Sequence, residues 1–336
     1  MPDPVLLAAI AAAAGLTACL GTRALIPLLR RAAVLDHPNE RSLHAAPTPR
    51  GGGIALIGAI LVAWLALIVA GAVAPRLLVV LFAAALLAAI SWIDDLRGLS
   101  PAIRLLAQFI AVSFGMLALM PAAPVFQFRP MPGLDAAAAA LLWLWFVNLF
   151  NFMDGIDGLA GSEAAAIGIG LLLFAGVGAG SDPGFAALSG SAAAAALGFL
   201  VWNWAPARIF LGDVGSVPCG YLLGFLLLDV ARRGYWKIAL ILPLYFLADA
   251  TLTLLRRLLR GERVWQAHRQ HFYQRAVQRG LSHAAVVRRV IAADLILIGC
   301  GWVSENGWGL AGVALAVVVV TALLVSFGGG GRPRAD

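Results

Sequence analysis

Long apolar runs separated by short polar connections recur along the whole chain, each close to the ~20 residues a helix needs to cross a bilayer. This pattern predicts eleven membrane-spanning helices: 4–29, 52–70, 76–93, 102–120, 136–152, 158–179, 185–203, 214–230, 235–256, 286–302 and 307–327. The fold class expected is an all-α polytopic membrane protein, with residues 1–327 as one transmembrane domain and 328–336 as a disordered tail. The first run, Pro4 to Leu29, has no basic residue ahead of it and is too long for a cleaved signal, so it reads as a retained span.

Composition agrees with that pattern. The 336 residues are 62% hydrophobic and only 12% charged, against about 25% charged in soluble domains. Charge then orients the spans. The connections 30–51, 94–101, 153–157, 204–213, 257–285 and the tail, with Arg256, Arg288 and Arg289, carry 17 Lys and Arg. The opposite connections carry five: Arg76, Arg129, Arg232, Arg233 and Lys237. The positive-inside rule therefore puts the N-terminus outside and the C-terminus in the cytoplasm. It also explains the net charge of +7 without a nucleic-acid partner. Cys19, Cys219 and Cys300 are scattered, with neither metal-ligand spacing nor a disulfide framework, and read as small buried hydrophobes.

The acids change the picture. Asp94, Asp95, Asp154, Asp157 and Asp213 all fall at span ends on the side assigned to the cytoplasm. A carboxylate carried to mid-bilayer costs about 2.5–3.5 kcal/mol, and acids gathered at one interface repel unless a cation sits among them. Helix caps account for one or two such residues, not for five. In Asn148-Leu-Phe-Asn-Phe-Met-Asp-Gly-Ile-Asp-Gly-Leu159, the residues Asn148, Asn151, Asp154 and Asp157 recur every third position. On a continued helix they form one oxygen-rich stripe suited to a hard cation. Asp94 and Asp95 are adjacent, hence about 100° apart on a helix, which suits two distinct roles. Phe210-Leu-Gly-Asp213-Val-Gly-Ser216 sets an acid between glycines at a helix start, where backbone N–H groups can face a phosphate.

Two connections are long enough to bind something. The first holds His44 and Pro47-Thr-Pro-Arg50-Gly-Gly-Gly53, a poor core segment and a plausible anion-binding loop. The second, Arg256 to Arg289, has nine arginines with Trp265, His268, His271, Phe272 and Tyr273. His268 and His271 are three apart and are expected to share a helix face, where phosphate contact is favoured over a metal site. Solvated basic linkers are the bland alternative for both. Asp249, in apolar surroundings, is expected to be structural, touching a neighbouring helix or Arg256. In the outer loop 121–135 a short hairpin or irregular turn is expected.

At these residues the sequence resembles the polyprenyl-phosphate N-acetylhexosamine-1-phosphate transferases, glycosyltransferase family 4. The resemblance runs from His44 and Pro47-Thr-Pro-Arg50-Gly-Gly through Asp94-Asp95, Asn151 to Leu159, Phe210 to Ser216, and His268-Arg-Gln-His271. The stretch His268 to Gln274 looks most like the branch that initiates O-antigen chains. The peptidoglycan branch, the phospho-MurNAc-pentapeptide transferases, typically carries three consecutive histidines there. The resemblance implies transfer of a sugar-1-phosphate from a UDP-N-acetylhexosamine to undecaprenyl phosphate, releasing UMP. It further implies Mg²⁺ as cofactor, with Mn²⁺ as the alternative, and a multi-pass protein of the bacterial cytoplasmic (inner) membrane whose active site faces the cytoplasm. Family members are often homodimers.

By the same resemblance, Asp213 and Asp154 would hold the metal, Asp94 would deprotonate or orient the lipid phosphate, and Asp95 would support metal or substrate. Asn151 and Asp157 would bind nucleotide, and His268, Arg269 and His271 would hold phosphates, with His44 and Arg50 nearby. Two rivals are a cation-coupled transporter and a basic scaffold for anionic lipid. Transporters place acids near the midplane, often between inverted repeats, whereas these acids sit at one edge and no repeat is visible.

Overall fold

The computed structural model describes residues 3–38, 43, 46–119, 125–126, 132–176, 182–264, 266 and 268–328, and over these residues each of the eleven apolar runs is largely helical. The helices are α1 (Pro4–Arg31), α2 (Gly53–Val69), α3 (Leu77–Arg97), α4 (Pro101–Leu119), α5 (Pro132–Phe152), α6 (Leu159–Gly176), α7 (Pro183–Asn203) and α8 (Asp213–Val230). There follow α9 (Trp236–Ile241), α10 (Leu244–Leu259), the short α11 (Phe272–Gln278), α12 (His283–Glu305) and α13 (Gly309–Gly328). Among the described residues seven helical stretches are long and apolar enough to cross a membrane on their own, and the chain is an all-α polytopic membrane protein. Three expectations lie outside the described residues: the tail beyond Gly328, the outer loop 121–131 apart from 125–126, and any role for His44.

One predicted span is corrected. Residues 235–256 do not form a continuous helix. A π-helical turn (Ala231–Tyr235) with Gly234 at φ +98° leads from α8 into α9, and the chain breaks again before α10. Pro243 occupies the N-cap of α10. Proline has no N–H to donate and clashes with the preceding turn, so an apolar run that hydropathy reads as one helix becomes two.

The bundle is organised around α8. It is apolar nearly all round, and every residue from Val214 to Val230 is buried, as a helix surrounded by other helices must be. It packs against α2, α3 and α5. The approach to α2 is closest at its N-terminal end, where a Cβ on Gly53 would overlap the backbone of Gly215. That pair of glycines seats the start of α2 directly on the start of α8. Peripheral helices α1, α4 and α13 instead leave large apolar side chains such as Leu16, Phe109 and Val318 exposed, as lipid-facing surfaces do.

Small backbone pairings gather the connections at this same end. β1 (Leu35–Asp36) pairs antiparallel with β2 (Thr48–Pro49). The chain after β2 is stitched to residues 210–211. Phe210 donates its N–H to the Pro49 carbonyl at 2.8 Å, Gly52 donates to Phe210 at 2.9 Å, and Gly53 donates to Leu211 at 2.9 Å. The Pro-Thr-Pro-Arg-Gly-Gly-Gly stretch is thus built into the fold beside Asp213 rather than left as a solvated linker.

Candidate active site

Alternate helix ends meet at one end of the bundle: the C-terminal ends of α3, α5 and α7 and the N-terminal ends of α2, α4, α6, α8 and α12. At that end lies a cavity of about 330 Å³, lined by residues of α5, α7, α8, α11 and α12 and of the connections between helices. Its polar lining includes Asp36, Arg50, Asn151, Asp154, Asp157, Asn203, Asp213, Gln274 and His283, with Phe210 as the aromatic member.

The centre of the site is an ion-pair cluster. Nη2 of Arg50 lies 2.7 Å from Oδ1 of Asp95 and 3.0 Å from Oδ1 of Asp213. Arg104, in the first turn of α4, approaches from the other side, with Nη1 3.4 Å from Asp94 and 3.8 Å from Oδ2 of Asp213. Burial opposes the charge on Arg50, but the carboxylates of Asp95 and Asp213 outweigh it and raise the guanidinium pKa further. Asp213 follows Gly212, which takes φ +75°, a left-handed conformation that favours glycine.

The adjacent acids Asp94 and Asp95 do part, as their helical separation requires. Asp95, with a side chain 0% exposed, accepts from the N–H groups of Asp213 at 3.0 Å and Val214 at 2.9 Å. It therefore caps α8 from another helix, satisfying donors that a helix start leaves orphaned. The expectation that those N–H groups face a phosphate is corrected here: a carboxylate of the chain itself takes them. Asp94 accepts from the backbone N–H of Leu99 and from Arg104, and does not line the cavity.

The predicted stripe of four polar residues is also corrected. α5 ends at Phe152, so Asp154 and Asp157 lie in the following turn, not on a continued helix. Asn148 donates to Gln108 on α4 at 2.7 Å and is not among the cavity residues. Asn151 does line the cavity, accepting from Ser216 at 2.7 Å. Asp157 accepts from the N–H of Ala207 at 3.0 Å and lies 3.3 Å from Nδ1 of His283. Burial, then the charge of Asp213, pushes the Asp154 carboxyl well above the ordinary carboxylate range. Without a cation the neutral form of Asp154 is favoured; four carboxyls, Asp36, Asp154, Asp157 and Asp213, line the cavity against one arginine, Arg50.

That excess fits a hard divalent cation. Among the described residues no group of three or more His, Cys, Asp or Glu forms a complete ligand cage. Mg²⁺ needs none: it keeps several waters and binds through one or two carboxylates plus substrate phosphates. Asp213 and Asp154 both line the cavity and are the carboxylates that would hold such an ion.

The histidine expectation is corrected. His268 lies in an irregular segment and His271 immediately precedes α11, so the two share no helix face, although their rings are 4.8 Å apart. His271 is buried, with Nδ1 3.2 Å from Asp249, and neither histidine lines the cavity. Asp249 is structural as expected, but its partners are the N–H groups of Phe272 (2.9 Å) and Tyr273 (3.1 Å) rather than Arg256. Arg256 instead stacks over Phe272. Arg269 is exposed and its carbonyl accepts from Gln278.

Burial, with His271 and Arg257 nearby, pushes His268 down to about 4. At neutral pH it offers a phosphate a neutral imidazole, not a cation. The unfolded chain takes up this proton near pH 6.5 and the folded chain only near 4, so its contribution to stability is lost as pH falls through that window. His268→Asn should flatten the fall in thermal midpoint between pH 6.5 and 4, read by intrinsic fluorescence in detergent. An unchanged slope would contradict the shift.

Sequence reasoning missed Arg104, which hydropathy hides inside a span, and the cavity residues Asp36, Asn203, Gln274 and His283. Asn203 joins two walls, accepting from Gly158 at 3.0 Å and donating to Ile209 at 2.9 Å. Its place at the end of α7, three residues before Pro206, was the available signal.

A glycosyl transferase family 4 profile matches residues 77–231, the stretch from α3 to just past the end of α8. The chain is 32% identical over 297 residues to the decaprenyl-phosphate N-acetylglucosaminephosphotransferase of Mycobacterium tuberculosis, covering 77% of this chain and 73% of that protein. It is 28% identical over 277 residues to a probable undecaprenyl-phosphate N-acetylglucosaminyl 1-phosphate transferase of Bacillus subtilis, covering 76% and 74%. A phospho-N-acetylmuramoyl-pentapeptide-transferase of Synechococcus elongatus is 34% identical over 220 residues, 58% of each chain. With the acidic cavity at one end of its helical bundle, the chain belongs to the polyprenyl-phosphate N-acetylhexosamine-1-phosphate transferases of glycosyl transferase family 4.

Proposed function

We propose that this protein transfers an N-acetylhexosamine-1-phosphate from its UDP-sugar to undecaprenyl phosphate, releasing UMP, at the cytoplasmic face of a bacterial inner membrane. One observation carries the reading: stretches far apart in sequence converge on a single acidic, arginine-bridged cavity at the end that the positive-inside count assigns to the cytoplasm. The product would be the first lipid-linked sugar of O-antigen or a related envelope glycan. N-acetylglucosamine, named in the Mycobacterium and Bacillus relatives, is favoured over QuiNAc and FucNAc as the sugar.

Phosphoryl transfer between two anions depends on charge neutralisation and in-line positioning more than on covalent help. Asp213 and Asp154 would hold Mg²⁺, which would supply the neutralisation at the pyrophosphate. The chain's own groups do the rest. Arg50 and Arg104 bring positive charge to the reacting phosphates, and Asp95 fixes Arg50 while holding the start of α8 in register. Asp94 orients Arg104 toward the lipid phosphate. That acceptor is already largely ionised at neutral pH, so a general base contributes little. Asn151 and Asp157 hold the nucleotide half, with Phe210 offering an aromatic surface. His268, Arg269 and His271 support this wall through the packing of α11, whose Gln274 reaches the cavity.

The test is direct. Purified protein in lipid nanodiscs, given UDP-GlcNAc, undecaprenyl phosphate and Mg²⁺, is expected to release UMP and form the lipid-linked sugar. A panel with UDP-QuiNAc, UDP-FucNAc and UDP-MurNAc-pentapeptide ranks the donors. Absence of UMP release with every N-acetylhexosamine donor would overturn the proposal.

A further inference from the structure

The C-terminal end of α10 presents apolar and cationic side chains together. Leu255, Leu258 and Leu259 are exposed there, as lipid-facing side chains are in a membrane protein. Arg256 and Arg260, interleaved with them, are exposed as well. Arg257 turns inward: it is buried, pairs with Glu262 at 2.8 Å and donates to the carbonyls of Gln266 and Arg263. Glu262 is the one acid in the sequence between Arg256 and Arg289, and it also accepts from Gln270 at 3.1 Å. The carboxylate of this connection is therefore committed to Arg257 and Gln270.

The short helix α11 folds back against the same end. Its first residue, Phe272, lies under the Arg256 guanidinium, whose Cζ is 4.7 Å from the ring centroid. Arg275, one turn on, is half-buried. Burial, then the guanidiniums of Arg279, Arg256 and Arg260, lowers its pKa from the ordinary arginine value. Arg279 follows α11 directly and donates from Nη1 to the carbonyl of Phe327, near the end of α13, at 2.8 Å. Val325, two residues before Phe327, is exposed like the leucines of α10.

Four guanidiniums are thus gathered where two apolar surfaces end, and none of the four lines the cavity. Like charges held together repel, and an anion placed among them relieves that cost. A soluble anion would meet the arginines and leave the apolar border unused. A phosphodiester carrying acyl chains meets both, since arginine matches phosphate geometry and the chains cover the leucines. We propose that Arg256, Arg260, Arg275 and Arg279 bind the headgroup of an anionic phospholipid from the leaflet at the cavity end of the bundle. The bound headgroup screens the repulsion and holds α11 against α10. It thereby steadies the wall to which α11 contributes Gln274.

The test counts bound lipid on the full chain by native mass spectrometry, titrating phosphatidylglycerol against phosphatidylcholine. Arg260→Gln with Arg275→Gln removes two charges and leaves the Arg256–Phe272 and Arg279–Phe327 contacts in place. Arg288→Gln with Arg289→Gln, exposed on α12, is the control of equal charge. Wild type is expected to bind phosphatidylglycerol roughly tenfold or more tighter than phosphatidylcholine, the first pair to lose most of that preference, and the control pair to keep it. In nanodiscs, phosphatidylglycerol should raise the thermal midpoint of wild type and of the control but not of the first pair. Equal binding of the two lipids by wild type would overturn the proposal, and that comparison needs no variant. So would an equal loss in the control pair, which would mean diffuse attraction. Displacement of the lipid by millimolar inorganic phosphate would assign the cluster to a soluble anion instead. One-for-one displacement by undecaprenyl phosphate would assign it to that lipid and likewise overturn the proposal.

Discussion

Asp213→Asn should abolish Mg²⁺-dependent UMP release, by roughly 10³-fold or more, while leaving a protein that extracts and melts like the wild type. The substitution keeps the side chain's volume and its place at the first position of α8. It removes the charge that faces Arg50 at 3.0 Å and Arg104 at 3.8 Å, and with it the carboxylate proposed as the principal metal ligand. The helix start survives because the N–H groups of residues 213 and 214 are capped by Asp95, not by Asp213 itself. Radiolabelled UMP release measured over a series of Mg²⁺ concentrations checks this. A variant keeping more than a tenth of wild-type activity at saturating metal would remove Asp213 from the metal site.

Asp95→Ala should behave differently, losing stability and activity together. The Asp95 carboxylate has no solvent exposure, and one side chain serves three donors: two backbone N–H groups of α8 and the Arg50 guanidinium at 2.7 Å. Removing it orphans the start of the most buried helix in the bundle and leaves Arg50 with Asp213 alone. The expected cost is about 2–4 kcal/mol, discounted because Arg50 is a third exposed. The readout is a lowered thermal midpoint beside an unshifted Asp213→Asn control. If Asp95→Ala melts normally and loses only turnover, Asp95 acts on the reactants rather than on the scaffold.

The contrast between these two acids marks what the sequence could and could not say. The helices were legible because lipid-facing and core-facing positions are both apolar, so each span is one long hydropathic run. The break before α10 was not, since hydropathy is blind to a missing N–H at Pro243. The set of acids was legible from its clustering at span ends of one predicted side. Their division of labour was not, because it depends on backbone groups 118 residues away from Asp95, whose N–H donors no residue type announces. The even spacing of Asn148, Asn151, Asp154 and Asp157 suggested a helical stripe, but α5 stops at Phe152 and the stripe dissolves into a turn. The two histidines stood out by type and proximity, yet they lie outside the cavity wall. His283, twelve residues beyond His271, stood among unremarkable neighbours and lines the cavity. Arg104 was concealed by its own helix, one turn inside a span whose other residues set the hydropathy.

The arginine-bridged acids at one end of the bundle are proposed to hold a divalent metal beside the donor's pyrophosphate. Anomalous scattering from Mn²⁺ in crystals grown with a UDP-N-acetylhexosamine tests it most directly. A single strong peak is expected in contact with Asp213 and Asp154, with nucleotide density running toward Asn151 and Asp157. A peak at the opposite end of the bundle, or nucleotide bound there without metal at Asp213, would contradict it.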